Sequence, residues 1–338
     1  MIYLVSLPDY KNNFNVNGNT IVCEGVYKKY FSKKKDKLFN LTGKSKFSTR
    51  LKKIFLYILL IFLKNKNNNT IYTTMDDNYG FHIQIFFLKL ISFIYDRIII
   101  HHHSFTYISK KSWLFKLLST EKFIHISISE KQRKVLKKNY NPQNIYLIKN
   151  NAFVYKGSIF KKKSNRKLKI IYFSALTKEK GIYDYLNLTK YFLKKNIEFF
   201  VYGNNCNNNT LNDIKEFKKK KLIMNYKLNI YNKDKAALFK STDILIFPSQ
   251  YKSETTPMVI DESINFQVVP IAYNIGSIKD QLEGAKLTVS NFISLKKKLK
   301  HVVSNYANYQ KKIVLLKSIK LKMINKEFKD LDNIFLSK

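Results

Sequence analysis

The sequence predicts an α/β protein made of two doubly wound, parallel-sheet domains that face a cleft. Three observations lead to this fold class. Short apolar segments alternate with helical segments along most of the chain, and the alternation starts again after a basic, aperiodic stretch at residues 155–168. The chain of 338 residues is also longer than one average domain. Because strands that alternate with helices usually form parallel sheets, each half is expected to be one doubly wound domain.

The first predicted domain covers residues 1–154, and its elements follow from the periodicity of the apolar residues. The stretches that suit strands are residues 2–6, 37–42, 70–74, 97–101, 123–127 and 144–148. The segments expected to be helical are residues 20–31, 48–64, 79–95 and 130–138. A polar loop that contains Gly18 is expected between the first strand and the first helix.

The second predicted domain covers residues 169–305 and follows a linker at residues 155–168. Its predicted strands are residues 169–173, 198–202, 227–230, 244–247 and 268–272. Its predicted helices include residues 181–193, 210–220 and 234–240. The chain is helical and rich in lysine from residue 291, and residues 306–338 are assigned to a C-terminal helical segment.

The net charge of +39 is the most unusual feature of the composition. Lysine supplies nearly all of it, because the chain contains only four arginines. Proteins that bind nucleic acid favour arginine for bidentate contacts, so no nucleic-acid partner is expected, and a basic nucleic-acid-binding protein stays open only as a lesser alternative. The charge fits the codon bias of an AT-rich genome or an anionic membrane surface as partner, and both interpretations remain open.

No signal peptide and no membrane span are expected. The opening segment MIYLVSLPDY lacks a basic region and contains Pro8 and Asp9. The longest apolar run, residues 54–63, is shorter than the roughly 17–25 residues that a spanning helix needs. It is therefore either a core helix or a helix that lies on a membrane, with lysines at both of its ends. The expected location is the cytoplasm, peripherally at the inner face of the cell membrane.

The segment 241–277 carries the strongest chemical signal. It places Glu254 and Glu262 with seven residues between them, one in a loop after an apolar strand and one on a helix. Pro257 stands where a first helical turn can begin, because its missing N–H has no helical partner there. One carboxylate in a cleft can bind sugar hydroxyls, and a second can bind the diol of a ribose. Two glutamates at this spacing also occur by chance, so the flanking strands carry much of the argument.

Backbone N–H groups near the start of this helix are candidates for holding a phosphate. They belong to Thr255, Thr256 and Met258, which flank Pro257. The exposed N–H groups and the dipole of a helix N-terminus both favour an anion. The sequence thus predicts an anionic ligand at the carboxyl edge of the second parallel sheet.

Three consecutive histidines, His101, His102 and His103, follow a predicted strand. Neighbouring residues on a strand point to opposite faces, so the three rings cannot converge on one metal ion. Cys23 and Cys206 are far apart and lack metal-site spacing, which indicates free thiols. No metal site is predicted, and one histidine in the cleft with another packed in the core is the expected arrangement.

Taken together, the segments FSALTKEKG, DILIFPS, SETTPMVIDES and VVPIAYNIGS resemble retaining, nucleotide-sugar-dependent glycosyltransferases of the GT-B fold, of the group 1 or family 4-like type. The resemblance covers about residues 168–290. The segments HHHS, SISEKQRKVL and IYLIKNNAFV of the first half agree with it more weakly. It implies two Rossmann-like domains, the first on the acceptor side and the second binding the nucleotide sugar.

The resemblance also implies roles for single residues. Glu254 would lie beside the donor sugar, Glu262 would bind the ribose hydroxyls, and Lys180 would neutralise the diphosphate. Gly18 matches a glycine loop after the first strand, and His102 or His103 would face the sugar from the first domain. The implied enzyme transfers a hexose with retention, without a metal or a further cofactor. Its acceptor would be a hydroxyl of a glycan or of a lipid-linked molecule, in the synthesis of a surface polysaccharide.

Two positions depart from the family pattern. Ala175 stands where the family commonly has an arginine that helps to bind the diphosphate, and Lys178 could replace it only as a point charge. Lys149 stands where a proline is expected before Asn150. The first departure leaves open a catalytically silent GT-B subunit that binds a membrane or a partner protein.

Overall fold

The computed structural model describes residues 2–5, 7, 18–31, 37–41, 46–62, 70–75, 80–109, 111–150, 167–192, 196–204, 206–230 and 232–336. The chain divides into two compact units, one formed by Met1–Phe153 with Lys326–Lys338 and the other by Val154–Asn325. Each unit is built around a parallel sheet, which confirms the α/β class predicted from the alternation of strands and helices. Most of the predicted linker at 155–168 lies outside the described residues.

In its described part, the first unit contains a six-stranded sheet with the order β2-β1-β3-β4-β5-β6, in which the paired strands are parallel. Its strands are β1 (Ile2–Val5), β2 (Lys37–Asn40), β3 (Thr70–Thr74), β4 (Arg97–His102), β5 (Phe123–Ser127) and β6 (Asn144–Leu147). Its helices are α1 (Gly18–Tyr30), α2 (Lys46–Phe62), α3 (Gly80–Ile91), α4 (Thr106–Ser109) and α5 (Glu130–Tyr140). A short 3-10 helix, Leu114–Leu118, was not predicted from the sequence.

Strand β4 shows why the central strands appear as unbroken apolar runs in the sequence. Ile98 and Ile100 pack into the core on one face of the sheet, and Ile99 packs into the core on the other. A parallel sheet that is covered on both faces leaves no polar side, so alternation of polar and apolar residues is absent. Such strands are recognisable by their length and their β-branched residues.

In its described part, the second unit contains a six-stranded sheet with the order β12-β11-β10-β7-β8-β9, again with parallel pairs. Its strands are β7 (Leu168–Ala175), β8 (Ile197–Asn204), β9 (Asn225–Leu228), β10 (Ile244–Phe247), β11 (Val269–Tyr273) and β12 (Thr288–Val289). The helices are α6 (Ile182–Thr189), α7 (Asn208–Lys219), α8 (Asn232–Lys240), α9 (Met258–Asn265), α10 (Ile278–Gln281), α11 (Phe292–Ser304) and α12 (Tyr306–Leu336). A 3-10 turn, Lys178–Lys180, precedes α6.

This strand order has a switch point between β7 and β10. From β7 the chain continues through β8 and β9 to one side, and from β10 it continues through β11 and β12 to the other. The connections therefore diverge at this pair and leave a crevice at the carboxyl ends of the two strands, where open α/β sheets bind ligands.

Helix α12 belongs to both units, whereas the sequence predicted a separate C-terminal segment at residues 306–338. Its first part lies in the second unit, where Lys317 donates a hydrogen bond to the carbonyl of Asn265 at 2.7 Å. Its last turns lie in the first unit, where Phe335 stacks on Tyr30 with 4.7 Å between the ring centroids. Among the described residues, no helix combines the length and the apolar composition that crossing a bilayer requires.

Candidate active site

Two loops at the switch point of the second sheet bring the predicted site residues together. The loop after β7 contains the turn Lys178–Lys180, and the loop after β10 contains Glu254. The two strands pair directly, with Ile246 opposite Tyr172. The loops therefore leave the sheet side by side, although 74 residues separate Lys180 from Glu254 in sequence.

The loop after β7 is held in place by a glycine and by hydrogen bonds. Gly181 has a φ of +78°, and a Cβ there would lie 1.9 Å from the carbonyl oxygen of Pro248. Only glycine satisfies both conditions, because it tolerates a positive φ and allows the two backbones to approach closely. The backbone N–H of Gln250 also donates to the carbonyl of Glu179 at 2.8 Å. These contacts fix the Lys180 backbone against the loop that carries Glu254.

Lys180 and Glu254 form an ion pair across these loops. The Lys180 Nζ lies 2.6 Å from the Glu254 Oε2, and the Ser249 hydroxyl donates to the same oxygen at 3.0 Å. The Lys180 side chain is 21% exposed and that of Glu254 is 11% exposed. The Lys180 ammonium also lies 4.5 Å from the ring centroid of Tyr251, a cation–π distance. The pair is thus shielded from water on several sides and still reachable by a ligand.

Other predicted members of the site differ in their placement. Lys178 is exposed to solvent on the turn, and Ala175 is half-buried at the end of β7. Pro257 is the N-cap of α9 rather than its first helical residue, because its ψ of 121° is extended. Met258 therefore begins the helix, and its N–H is one of the donors that a helix N-terminus leaves without an intrahelical acceptor.

The loop after β11 supports the start of α9. Gly276 has a φ of +58°, and a Cβ there would lie 2.4 Å from the carbonyl oxygen of Glu254 and 2.6 Å from that of Thr255. The N–H of Ser277 donates to the Thr255 carbonyl at 2.8 Å. Thr255 is buried, and Thr256 is half-buried beside it. The backbone that precedes α9 is therefore held by its neighbours, as an anion site built from N–H groups requires.

Glu262 lies one helical turn into α9 and forms a second ion pair. The Lys235 Nζ, on α8, lies 2.6 Å from the Glu262 Oε1 and 5.0 Å from the ring centroid of Phe173. The other carboxylate oxygen, Oε2, is buried and has no hydrogen-bond partner among the described residues. Buried polar atoms are nearly always hydrogen-bonded, so an orphaned oxygen in a site marks a place for a ligand donor.

Contacts at Asp261 and Asn265 hold the helix that carries Glu262. Asp261 accepts a hydrogen bond from Gln281 at 2.7 Å and forms an ion pair with Lys320 of α12 at 3.2 Å. Lys317, one turn earlier on α12, donates to the carbonyl of Asn265 at 2.7 Å, and burial lowers its pKa. These contacts hold the middle and the C-terminal end of α9, and with them the backbone that carries Glu262.

Sequence reasoning missed three residues of this site: Ser249, Tyr251 and Lys235. Ser249 had a signal, because it ends the segment FPS that follows β10. Lys235 had none, since its role depends on the packing of α8 beside α9 in a chain that is rich in lysine.

In the first unit, Gly18 is the first residue of α1 rather than part of the predicted polar loop. The loop itself, residues 8–17, lies outside the described residues. The three histidines alternate as the strand geometry requires: His101 and His103 lie near each other, with 4.3 Å between ring centroids, and His102 points to the other face. Among the described residues, no cluster of three or more histidine, cysteine or acidic side chains could hold a metal ion.

His102 is a core residue, which corrects its prediction as a cleft-facing candidate. It is completely buried, with its Nδ1 2.8 Å from the Tyr107 hydroxyl and its Nε2 2.9 Å from the Nδ1 of His125. The Nε2 of His125 lies 2.7 Å from the carbonyl oxygen of Leu118 and must donate to it. His125 therefore accepts from His102, which accepts from Tyr107, and both rings are neutral.

The surroundings of these rings disfavour their charged forms. Burial and the neighbouring His125 and His103 hold the pKa of His102 well below its usual range. Burial lowers the pKa of His125 to about 4 and that of His103 to about 3. Of the two histidines predicted for the sugar side, His103 is the remaining candidate: it is 7% exposed and directly follows β4.

The family model Glycosyl transferases group 1 matches residues 156–315, which lie within the second unit. A search of curated protein sequences found no significant match.

Three solved structures illustrate the similarity of fold. A glycosyltransferase from Rickettsia africae has a TM-score of 0.64 at 15% identity, over 97% of this chain and 98% of that one. HepE from Anabaena, in complex with UDP and glucose, has a TM-score of 0.67 at 10% identity, over 100% and 99% of the two chains. The pneumococcal O-GlcNAc transferase GtfA, in complex with UDP and GlcNAc, has a TM-score of 0.63 at 14% identity. The match covers 84% of this chain but only 60% of GtfA.

The class of protein follows from these findings. At these identities the structures establish the fold, which is the two-domain GT-B arrangement of α/β units. The match to the group 1 family over the second unit, which carries the paired lysines and glutamates, supports a glycosyltransferase.

Proposed function

We propose that the second unit binds a nucleoside diphosphate sugar and that the enzyme transfers the sugar to a hydroxyl group with retention. The observation that carries this proposal is the Lys180–Glu254 ion pair at the switch point, with 2.6 Å between its charged atoms. A diphosphate brings two or more negative charges to the ammonium group. Lys180 would then bind the phosphate oxygens, and the Glu254 carboxylate would become available to the hydroxyls of the donor sugar.

In the proposed reaction, the bond between the anomeric carbon and the diphosphate oxygen breaks, and the acceptor oxygen bonds to that carbon on the same face. The acceptor proton passes to the departing phosphate. Negative charge grows on the diphosphate as this bond breaks, and Lys180 together with the N-terminus of α9 would stabilise that charge. Glu254 orients the sugar and stabilises its developing positive charge without forming a covalent bond to it.

The second ion pair supports a ribose subsite. Glu262 has one oxygen bound to Lys235 and one buried oxygen without a partner among the described residues. A ribose hydroxyl would donate to that oxygen. HepE and GtfA were both solved with UDP, so a UDP-sugar is the first donor to test.

The proposed acceptor is a glycan or a lipid-linked molecule, as in the synthesis of a surface polysaccharide. The first unit would contribute the acceptor side of the reaction, with His103 as its candidate near the sugar. The proposal includes no metal ion, because a lysine and a helix N-terminus supply the positive charge that a metal supplies in other sugar transferases.

A thermal-shift series with UDP, GDP, ADP and CMP sugars tests the donor. We expect one nucleotide class to raise the melting temperature of the protein, and the increase to disappear in Glu262→Ala but not in the exposed control Glu283→Gln. Hydrolysis or transfer of the stabilising sugar would then show turnover. Donor binding without any turnover across a panel of glycan acceptors would favour the catalytically silent subunit. Salt-sensitive binding of nucleic acid with no response to any nucleotide sugar would favour the nucleic-acid-binding alternative.

A further inference from the structure

Helices α2 and α3 and the segment 113–117 lie side by side on one face of the first sheet. The Tyr57 and Phe87 rings stack between α2 and α3 with 5.5 Å between centroids, and Phe81 of α3 stacks on Phe115 at 5.8 Å. The inner residues of the three segments share one core with strands β1, β3, β4 and β5. Because all three cover the same face of the sheet, their outer surfaces point in the same general direction, away from it.

These outer surfaces are unusually apolar. The large side chains that project from them are Phe55, Ile58 and Phe62 of α2, Phe86 of α3, Phe93 just after α3, and Trp113 just before the 3-10 helix. Phe62 is 79% exposed, Trp113 76% and Phe93 74%. We call these six residues the aromatic surface. Soluble proteins rarely expose so many large apolar groups together unless the surface contacts a partner.

The charged residues of the elements that carry most of the aromatic surface are basic, although the exposed Asp96 follows Phe93 by three residues. Helices α2 and α3 and residues 111–118 contain no aspartate or glutamate. They do contain exposed or half-exposed lysines, among them Lys89, Lys111 and Lys116. The Lys89 ammonium lies 5.4 Å from the ring centroid of Phe93, so charge and aromatic groups are mixed within the surface.

We propose that the aromatic surface docks onto an anionic lipid bilayer, with its rings in the headgroup region and its lysines on lipid phosphates. Exposed aromatic rings surrounded by lysines suit the interface of an anionic membrane. Trp113 is placed well for such a role, because indole rings concentrate at the boundary between lipid and water. The helices are too short and too charged to cross the bilayer, so they lie along it.

A second copy of the chain fits this surface less well. A symmetric dimer would bring the same surface of both copies together, and with it the lysines of both. No acidic residue of α2, α3 or residues 111–118 is present to pair with them. The net charge of +39 adds repulsion between the two chains. The anionic bilayer is therefore the occupant that the charge favours.

The chain provides its own probe for this proposal, since Trp113 is its single tryptophan. The experiment adds vesicles of phosphatidylcholine alone, or of phosphatidylcholine with phosphatidylglycerol, to the full-length protein and records tryptophan emission. We expect a shift of the emission to shorter wavelength with the anionic vesicles at low salt, and a much smaller one with the neutral vesicles. Binding without a shift of the Trp113 emission would overturn the proposal, because it would place the contact elsewhere.

Co-sedimentation with the same vesicles tests the residues. Phe55→Ser combined with Phe62→Ser should weaken binding about tenfold through lost apolar burial, whereas Ile293→Ser, at 62% exposure in the second unit, should not. Lys111→Gln with Lys116→Gln should weaken it about tenfold or more, and the exposed control pair Lys215→Gln with Lys219→Gln much less. If the test and control lysine pairs lost vesicle binding equally, net charge alone would drive the binding, and the proposal of a defined docking surface would be wrong.

Light scattering tests the remaining alternative, in which a second copy of the chain covers the aromatic surface. The proposal predicts a monomer in the absence of vesicles, and a dimer that the Phe55→Ser and Phe62→Ser changes dissociate would overturn it. The test variants change only residues of the first unit, and the controls in the second unit lie outside the proposed donor site. Failure of these experiments would leave the proposed sugar transfer standing, and loss of transfer in Glu254 variants would leave membrane docking standing.

Discussion

Lys235 and Glu262, on the neighbouring helices α8 and α9, form an ion pair that occupies only one side of the carboxylate. The Lys235 Nζ lies 2.6 Å from Oε1, while Oε2 is buried without a partner among the described residues. A buried charge needs a counter-ion, and a lysine on one oxygen provides it without blocking the other. The arrangement fixes the orientation of the carboxylate and leaves one of its oxygens available to a ligand.

Glu262→Ala should weaken donor binding more than it slows the chemical step. Ribose contacts are distant from the reacting carbon and change little between ground state and transition state. We expect the donor Kd to rise about tenfold or more, as for the loss of a hydrogen bond to a charged group, with a smaller change in kcat. Calorimetry with the intact nucleotide sugar measures the donor Kd. An unchanged donor affinity would show that Glu262 does not bind the ribose.

Lys235→Met should produce a milder form of the same defect. The substitution leaves Glu262 without its counter-ion in a site where the side chain is 15% exposed, so the carboxylate loses the contact that holds its orientation. The donor KM should rise by roughly a factor of ten while kcat changes little. Lys227→Met is the matched control, because Lys227 pairs with Asp234 at the exposed surface, with 3.6 Å between the charged atoms. Equal effects of the two substitutions would argue against a positioning role for Lys235.

Glu254→Gln should reduce transfer about 100-fold or more and leave the fold intact. The amide keeps the shape of the side chain and can still accept from Ser249, but it removes the charge that pairs with Lys180 and stabilises the sugar in the transition state. The measurement is the rate of transfer from the donor found by thermal shift, together with the melting temperature of the variant. A rate near that of the wild type would refute the assignment of Glu254.

Transfer should persist in the presence of EDTA. In the proposed site, Lys180 and the N-terminus of α9 neutralise the diphosphate, so removal of divalent cations should change the rate less than twofold or so. The assay compares initial rates with and without the chelator, and after addition of Mg²⁺ or Mn²⁺. Activity that is lost in EDTA and restored by either cation would contradict the metal-independent mechanism.

The buried histidines of the first unit should make stability fall in mild acid. The pKa of His125 is lowered to about 4 in the folded protein, against about 6.5 in the unfolded chain. Above pH 6.5 neither state binds the proton, and stability is complete. Between pH 6.5 and 4 only the unfolded chain binds it, so the free energy of unfolding should decrease by about 1.4 kcal/mol per pH unit for each such histidine.

Urea denaturation at pH 7.5, 6 and 5 measures this dependence. His125→Gln should be less stable than the wild type at pH 7.5, because the core loses the ring that packs against His102. Its free energy of unfolding should, however, decrease less steeply towards pH 5. His301→Gln, at an exposed position in the second unit, should reproduce the wild-type slope. An identical slope in His125→Gln would mean that this ring does not cause the decline.

The fold could be predicted to the extent that apolar runs are continuous. Strands β3, β5 and β10 have the bounds predicted from the sequence, because each is rich in β-branched or aromatic residues and begins directly after a polar residue. Strand β12 has only two residues, and α4 and α10 have four each. Elements of that length have no periodicity to detect, and their conformation is set by what they pack against.

The site could be predicted where its residues lie close in sequence. Glu254, Pro257, Met258 and Glu262 belong to one loop and one helix, and their order between two apolar strands identifies them as a set. Lys235 was not found, because it acts through a partner on another element. The choice between His102 and His103 stayed open, because sequence alternation gives two faces but does not say which one is covered by Tyr107 and His125.

The division of α12 between the two units limits how the protein can be cut into fragments. A fragment of residues 1–153 would contain every strand of the first sheet but not Phe335, whose ring covers Tyr30, Phe31 and Tyr72. It would also lose Asp332, which accepts a hydrogen bond from the Tyr30 hydroxyl. An expression plasmid for the isolated first unit therefore has to join residues 326–338 to its end through an artificial loop, and one that stops at the linker should yield aggregating protein.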